Sequence, residues 1–289
     1  MRQQENAVRW LAVPALGTVG VILFVPWLFT LALSFFEWRF SGLPHFVGLQ
    51  NYAALLGDAR FGQAAWRTLA YSAGAVGGPL LLGLAAALVF ARDFPGRQAL
   101  RLAFSFPMLA TPVSVALVWV MMLHPQSGVL NYLLSLIGLP PSEWIYSQRT
   151  VIGTLVAIET WQWTPLVALI LLGGMTTIPE ELFEAAKIDG ATPVQAFLAI
   201  TLPLLVPYLL VAGILRTIDA VKSLDLIFVM TSGGPGTASE TLNMYLYTNA
   251  FAFNNVGYAS AISVFFLGLV FCLALLLVWV KARHAAVAA

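Results

Sequence analysis

Charge is scarce in this sequence. Asp, Glu, Lys and Arg make up 9% of its 289 residues, against about 25% in soluble globular domains. With 60% of residues hydrophobic and a mean hydropathy of +0.87, a soluble fold is excluded and an integral membrane protein is expected. The formal net charge is +1, and the basic residues form no block or tail, which excludes nucleic acid as a partner. Cysteine is nearly absent. Cys272 stands alone in the last apolar stretch, so it closes no internal disulfide and fits a small packing residue. His45, His124 and His284 are scattered, without metal-ligand spacing, so no metal site is expected. No G-x-x-x-x-G-K-[ST] phosphate loop occurs, so no ATP hydrolysis is expected of this chain, and it is not read as an enzyme. No A-x-A cleavage site with a polar mature region follows Arg2 and Arg9, so the first apolar run reads as an uncleaved helix. Neither a short-period repeat nor a separate soluble domain is visible, and residues 1–289 read as a single transmembrane domain.

What is present is a series of long apolar runs. A spanning helix needs roughly 20 mostly apolar residues. Six runs qualify, at about 11–36, 68–90, 102–123, 151–174, 203–221 and 258–280. The expected fold is therefore all-α, with six transmembrane helices. With both termini cytoplasmic, the inner side holds Arg2, Arg9, Arg92, Arg97, Arg101, Lys187, Lys281 and Arg283. The outer side then holds Arg39, Arg60, Arg67, Arg149 and Lys222. That asymmetry, strongest in "RDFPGRQALR", follows the positive-inside rule. The outer segments 37–66 and 124–150 are longer and rich in Pro, Gly and aromatics.

One polar segment, 178–202, interrupts the apolar pattern. Pro179 suits a first helical position, and Glu180 and Glu181 face the positive end of the helix dipole. A helix of about ten residues then ends at Gly190, as at a left-handed cap. Thr192 and Pro193 restart a helix that runs on into the membrane. The expected shape is an elbow: a short surface helix, a glycine turn and a span. Phe183, Ala186 and Ile188 form no clean amphipathic stripe, whereas the small Ala185 and Ala186 allow close approach by a partner. Taken by its caps alone, the segment is an ordinary interhelical loop.

The spacing adds more. Glu184, Ala185, Ala186, Gly190, Ile200, Leu202 and Pro203 meet the pattern E-A-A-x-x-x-G-(nine residues)-I-x-L-P, with Asp189 and Ala191 in their usual places. This resembles the cytoplasmic EAA loop of the membrane subunits of bacterial ABC importers. "W-x-W-x-P" (Trp161, Trp163, Pro165) precedes it; "LDLIFVMTSGGPG", "ETLNMYLYTNAF" and "GYASAIS" follow. Together they resemble the carbohydrate-uptake branch, the first membrane subunit of maltose- and glycerol-phosphate-type transporters, over about residues 10–283. The extra N-terminal helices and large periplasmic insertion of the maltose subunit are missing. The resemblance implies a type I ABC importer permease fold in the bacterial inner membrane, with a cytoplasmic coupling helix. It implies a permease that moves a sugar or sugar derivative inward by alternating access. It implies a heterodimer with a second homologous permease subunit, two ATPase subunits that bind ATP and Mg, and an extracytoplasmic solute-binding protein. Glu184, Ala185, Ala186, Asp189 and Gly190 would then couple to the ATPase, Glu184 by contact and Gly190 through the turn.

Three ionisable residues fall inside apolar spans: Glu159, Arg216 and Asp219. Such groups mark functional sites by default. At 1.5 Å per residue, Glu159 lies about 12 Å from the outer end of its helix and Arg216 about 10 Å below the outer face, so they are expected to be neighbours. Arg216 and Asp219 share a helix face at i, i+3. Two readings stand: a salt-bridge cluster that holds helices together, or a polyol site in which Glu159, Gln162, Trp161 and Trp163 supply polar groups and ring faces. By resemblance, the sugar-lining positions fall on Met108, Glu159, Gln162, Trp163, Leu166, Asp219, Ala220 and Ser223. "TSGGPG" forms a tight outer turn, with Asn243 and Tyr247 near the path by resemblance. The competing function is an ion-coupled secondary transporter using Glu159 or Asp219. The sugar itself, neutral or anionic, is left open.

Overall fold

The computed structural model describes residues 2–40 and 42–288; the side chains of Arg2, Arg9, Lys281 and His284 lie outside those described. The chain is built almost entirely of helices. In order these are α1 (Arg2–Leu33), α2 (Gln50–Gly57), α3 (Ala59–Phe90), α4 (Arg97–Ser105), α5 (Pro112–Met122), α6 (Val129–Leu136) and α7 (Val151–Met175). They continue with α8 (Glu180–Ile188), α9 (Pro193–Ala196), α10 (Leu202–Lys222), α11 (Asp225–Thr231), α12 (Leu242–Tyr247) and α13 (Val256–Ala288). Among the described residues, five helical stretches are long and apolar enough to cross a membrane: Leu16–Leu33, Ala59–Phe90, Val151–Met175, Pro193–Lys222 and Val256–Leu276. A sixth is a bent pair, Arg97–Leu109 with Pro112–Met122, at 97°.

That bend departs from the unbroken span expected at 102–123. Pro112 pushes its preceding residue out of the helical region, and Thr111 is extended at ψ 147°. The Thr111 side chain accepts from the backbone N–H of Ser114 and so starts α5 afresh, with Pro112 at the first position. The span is thus two helices meeting at Ala110–Thr111. Elsewhere proline is absorbed. Pro14 and Pro26 lie within α1, where Thr18 and Thr30 hydroxyls donate to their carbonyls at 2.8 and 2.9 Å.

The chain forms two compact units. One comprises residues up to Gly62 together with Tyr245–Leu269. It holds a two-stranded hairpin, β1 (Phe36–Glu37) against β2 (His45–Phe46). Asn51 Nδ2 donates to the carbonyls of Ser34 and Phe36, both at 2.9 Å, and fastens the hairpin to α2. The backbone N–H of Val256 donates to Trp38 O at 2.9 Å, and a Cβ at Gly257 would collide with Phe36 O, so glycine starts α13 there by necessity. Asp58 accepts from the Tyr245 and Tyr258 hydroxyls and from the Arg60 N–H. Burial pushes its carboxyl up, but the hydrogen bonds from Tyr245, Arg60, Tyr258 and the Phe61 backbone outweigh it and hold Asp58 below its ordinary 3.8.

The other unit, Gln63–Met244 with the chain from Val270, carries the candidate site. Its core joins α3, α7 and α10 through Ala87, Phe90, Val167, Leu171, Leu172 and Ala212. Close approach of α3 to α7 depends on glycine. A Cβ on Gly74 would lie 2.7 Å from Val156, one on Gly83 2.7 Å from Val167, and one on Gly78 would collide with the Thr160 hydroxyl. Small residues at such spacing let spanning helices pack without a hydrophobic driving force between them. The segment 124–150 is ordered around buried Asn131. Its Nδ2 donates to Pro125 O and Ser142 O, and its Oδ1 accepts from Ser142 N and Trp144 Nε1.

Candidate functional site: a charged cavity and a surface elbow

The polar centre of the second unit gathers on α7 and α10. Arg216 Nη2 donates to Glu159 Oε1 at 2.7 Å, with Arg216 fully buried and Glu159 nearly so. The Arg216 guanidinium also sits 4.8 Å over the Trp163 ring. Its Nε and Nη1 have no partner among the described residues. Charged donors without partners are expensive at membrane depth. Asp219 does not join this pair; its carboxylate faces Lys222 at 4.0 Å, and both side chains are half exposed.

Glu159, Trp163, Arg216, Asp219 and Ser223 line a cavity of about 330 Å³, with Pro112, Lys222 and Asp225 on its other walls. This size falls at the lower end of small-molecule sites. Four of the eight sugar-lining positions expected from resemblance thus meet here. The other four do not reach this cavity. Gln162 is buried and its amide donates to the carbonyl of Ala110 at 3.2 Å. Ala220 is buried in packing, and Met108 and Leu166 are half-buried outside the cavity wall. Rotation explains Gln162, which lies about 100° round α7 from Trp163; Leu166 shares the face of Glu159 at i, i+7 and instead lies about 10 Å further along the helix. Trp161 also points elsewhere, packing edge-to-face on Trp119 at 5.4 Å.

Sequence reasoning missed Tyr71. It is fully buried on α3, its hydroxyl bonds Ser223 Oγ at 3.2 Å, and it neighbours Glu159. A tyrosine within an apolar run carries no local signal, since only packing brings it to the charges. Pro112 and Asp225 were missed for the same reason. Asn243, on α12, reaches the end of α10, where its Nδ2 donates to Lys222 O at 2.6 Å. Tyr247 stacks with Phe251 at 4.9 Å. The "TSGGPG" turn has Gly233 and Gly236 at positive φ and a cis Gly234–Pro235 bond.

The elbow forms a second feature. Pro179 is the cap of α8 rather than its first residue, and Glu180 and Glu181 occupy the first turn. Gly190 takes φ +76°, which a side chain rarely adopts. Thr192 and Gln195 close a reciprocal capping box, with Pro193 at the first position of α9. A π-helical stretch, Phe197–Thr201, then carries the chain into α10. Glu184, Ala185, Asp189 and Gly190 are exposed, as are Leu182 and Ile188. Ala186 turns inward with Phe183 onto a cavity of about 480 Å³ beneath the elbow, together with Lys187, Val194 and Phe197. Only Ala185 of the alanine pair is therefore free for a partner's close approach.

Residues 79–285 match the family described as binding-protein-dependent transport system inner membrane component. The chain belongs to this family. It is a multi-pass inner-membrane protein, the non-catalytic membrane subunit of a binding-protein-dependent transporter. It is 36% identical over 265 residues to the sulfoquinovosyl glycerol transport system permease protein SmoG of Agrobacterium fabrum, covering 91% of this chain and 86% of that one. It is 35% identical over 266 residues to the trehalose/maltose transport system permease protein MalF of Thermococcus litoralis, covering 91% and 90%. Among solved structures, a chain of a bacterial ABC transporter that imports the acidic polysaccharide alginate superposes with a TM-score of 0.83 at 22% identity, covering 98% of this chain and 99% of that one. The fold is that of a type I ABC importer permease.

Proposed function

We propose that this inner-membrane component forms half of the pathway by which a sugar or sugar derivative enters the cell. The observation that carries this reading is the cavity among spanning helices. It combines carboxylates (Glu159, Asp219, Asp225), a hydroxyl (Ser223), cations (Arg216, Lys222) and an aromatic face (Trp163), the mixture that recognises a polyol by hydrogen bonds and ring contact. Relatives that carry sulfoquinovosyl glycerol and trehalose or maltose support the sugar class. Glu159, Trp163, Asp219 and Ser223 contact the sugar, while Met108, Gln162, Leu166 and Ala220 lie behind them in the packing.

The remaining machinery lies in other chains. A second homologous permease completes the pathway, two ATPase subunits bind ATP and Mg, and an extracytoplasmic solute-binding protein delivers the sugar. Both termini face the cytoplasm, on the same side as the elbow. Glu184, Ala185, Ala186, Asp189 and Gly190 form the coupling element, gripped by an ATPase on its exposed face and continuous with α10 on the other. Hinge motion of the ATPases then becomes movement of a span, and the cavity alternates between the two sides. No observation favours ion coupling through Glu159, whose charge is already answered by Arg216.

The test is sugar uptake and sugar-stimulated ATP hydrolysis by the assembled, reconstituted transporter across a panel of neutral and acidic sugars. At least one sugar should stimulate both, and Glu159→Ala and Asp219→Ala should abolish or shift the response. Full stimulation in both variants would remove the cavity from the pathway.

A further inference from the structure

The break in the third span exposes a backbone carbonyl that an unbroken helix would satisfy internally. In a straight helix Ala110 O would accept from Ser114 N–H, four residues on. Here that N–H is taken by the Thr111 hydroxyl, and Ala110 O accepts instead from Gln162 Nε2 on α7, at 3.2 Å. Backbone polar groups freed at membrane depth need such a partner. The bond is also placed strategically. Pro112, two residues beyond Ala110, forms one wall of the charged cavity, and Glu159 and Trp163, flanking Gln162 on α7, form another. Gln162 itself is buried, and its Oε1 has no partner among the described residues. An amide turned end for end would set oxygen against oxygen, so Ala110 fixes its orientation. In this bent arrangement Thr111 caps Ser114 and Gln162 holds Ala110.

We infer that Gln162 is a positioning residue: it latches the third span in its bent form and sets the Pro112 wall of the cavity against the Glu159 and Trp163 wall. It acts on the rate of the transport cycle through the span rather than by touching the sugar. The inference rests on the proposed sugar pathway for its transport readout, but not for its structural one.

The test uses the complete transporter in nanodiscs, in a Cys272→Ser background. Spin labels at Leu102 and Val118, both exposed on either side of the break, report the bend. Gln162→Leu removes the donor, and Gln162→Glu, when ionised, offers only acceptors. Loss of one hydrogen bond within a membrane protein changes an equilibrium by about 3- to 15-fold. Both variants should assemble, broaden the label-to-label distance distribution and lower maximal sugar-stimulated ATP hydrolysis by about that factor. A shift in half-saturation at an unchanged maximal rate would assign Gln162 to the sugar and overturn the inference. An unchanged distance distribution would overturn it also. If no sugar stimulates even the parent protein, the pathway reading fails, and the distance measurement alone still decides whether Gln162 holds the bend.

Discussion

Glu159→Gln and Arg216→Met, alone and together, probe the buried pair most directly. Arg216 is fully buried and Glu159 nearly so, and they meet at 2.7 Å. Removing one partner of such a pair leaves an uncompensated buried charge, which costs about 3–5 kcal/mol. Removing both removes the penalty along with the attraction, and buried pairs replaced this way are often neutral or better. The guanidinium's 4.8 Å contact over Trp163 contributes about 0.5–2 kcal/mol more, which Met partly retains through its own contact with the ring. Two Arg216 donors already lack partners, so the pair is not tuned for stability. Each single variant should lower the thermal midpoint of the purified protein in nanodiscs by about 10 °C. The double variant should recover most of that loss, so the two single losses are strongly non-additive. Uptake should fall in all three, since each removes at least one charge from the cavity lining. Additive losses in the double variant, or an unchanged midpoint in Glu159→Gln, would refute the claim that the two charges answer one another.

Other predictions concern the elbow, the helix contact and the Asp58 carboxylate. Gly190 sits at φ +76° with open space around it, so Gly190→Ala should cost only backbone strain, about 1–2 kcal/mol; ATPase co-purification should weaken while the α3–α7 core stays intact. Thr192→Ala removes the capping box and should destabilise the elbow by about 1 kcal/mol, visible as faster hydrogen exchange confined to 191–197. Gly83→Val should separate α3 from α7, because a Cβ there already lies 2.7 Å from Val167; loss of assembled protein on size-exclusion chromatography is the readout. Asp58 is held below its ordinary 3.8, by its hydrogen bonds from Tyr245 and others acting against burial. Its stabilising contribution is therefore complete above that ordinary value and disappears as pH falls through the lower folded value. Wild type should exceed Asp58→Asn in thermal stability at neutral pH, and the gap should narrow below 3.8; a gap independent of pH would rule out the carboxylate as its source.

The membrane class was legible along the chain, because apolar runs of spanning length need no tertiary information to be read. So was the elbow's local shape. Pro179, Gly190 and the Thr192–Gln195 box act through the backbone within a few residues, so their outcome is written in order along the chain. Depth arithmetic brought Glu159 and Arg216 to a common level, because helical rise is constant. Rotation about the helix axis was another matter. Which face of α7 meets the cavity depends on what α3, α5 and α10 present to it, and only packing decided that Trp163 lines the cavity while Gln162 turns to Ala110. The bend at Ala110–Thr111 had a legible cause in Thr111–Pro112, but proline is tolerated inside other helices here, at Pro14, Pro26, Pro79 and Pro165. Here the carbonyl that bending frees, Ala110 O, meets a donor fifty-two residues away on α7. A sequence states which backbone groups an extended residue will expose; the tertiary structure decides whether anything is there to receive them.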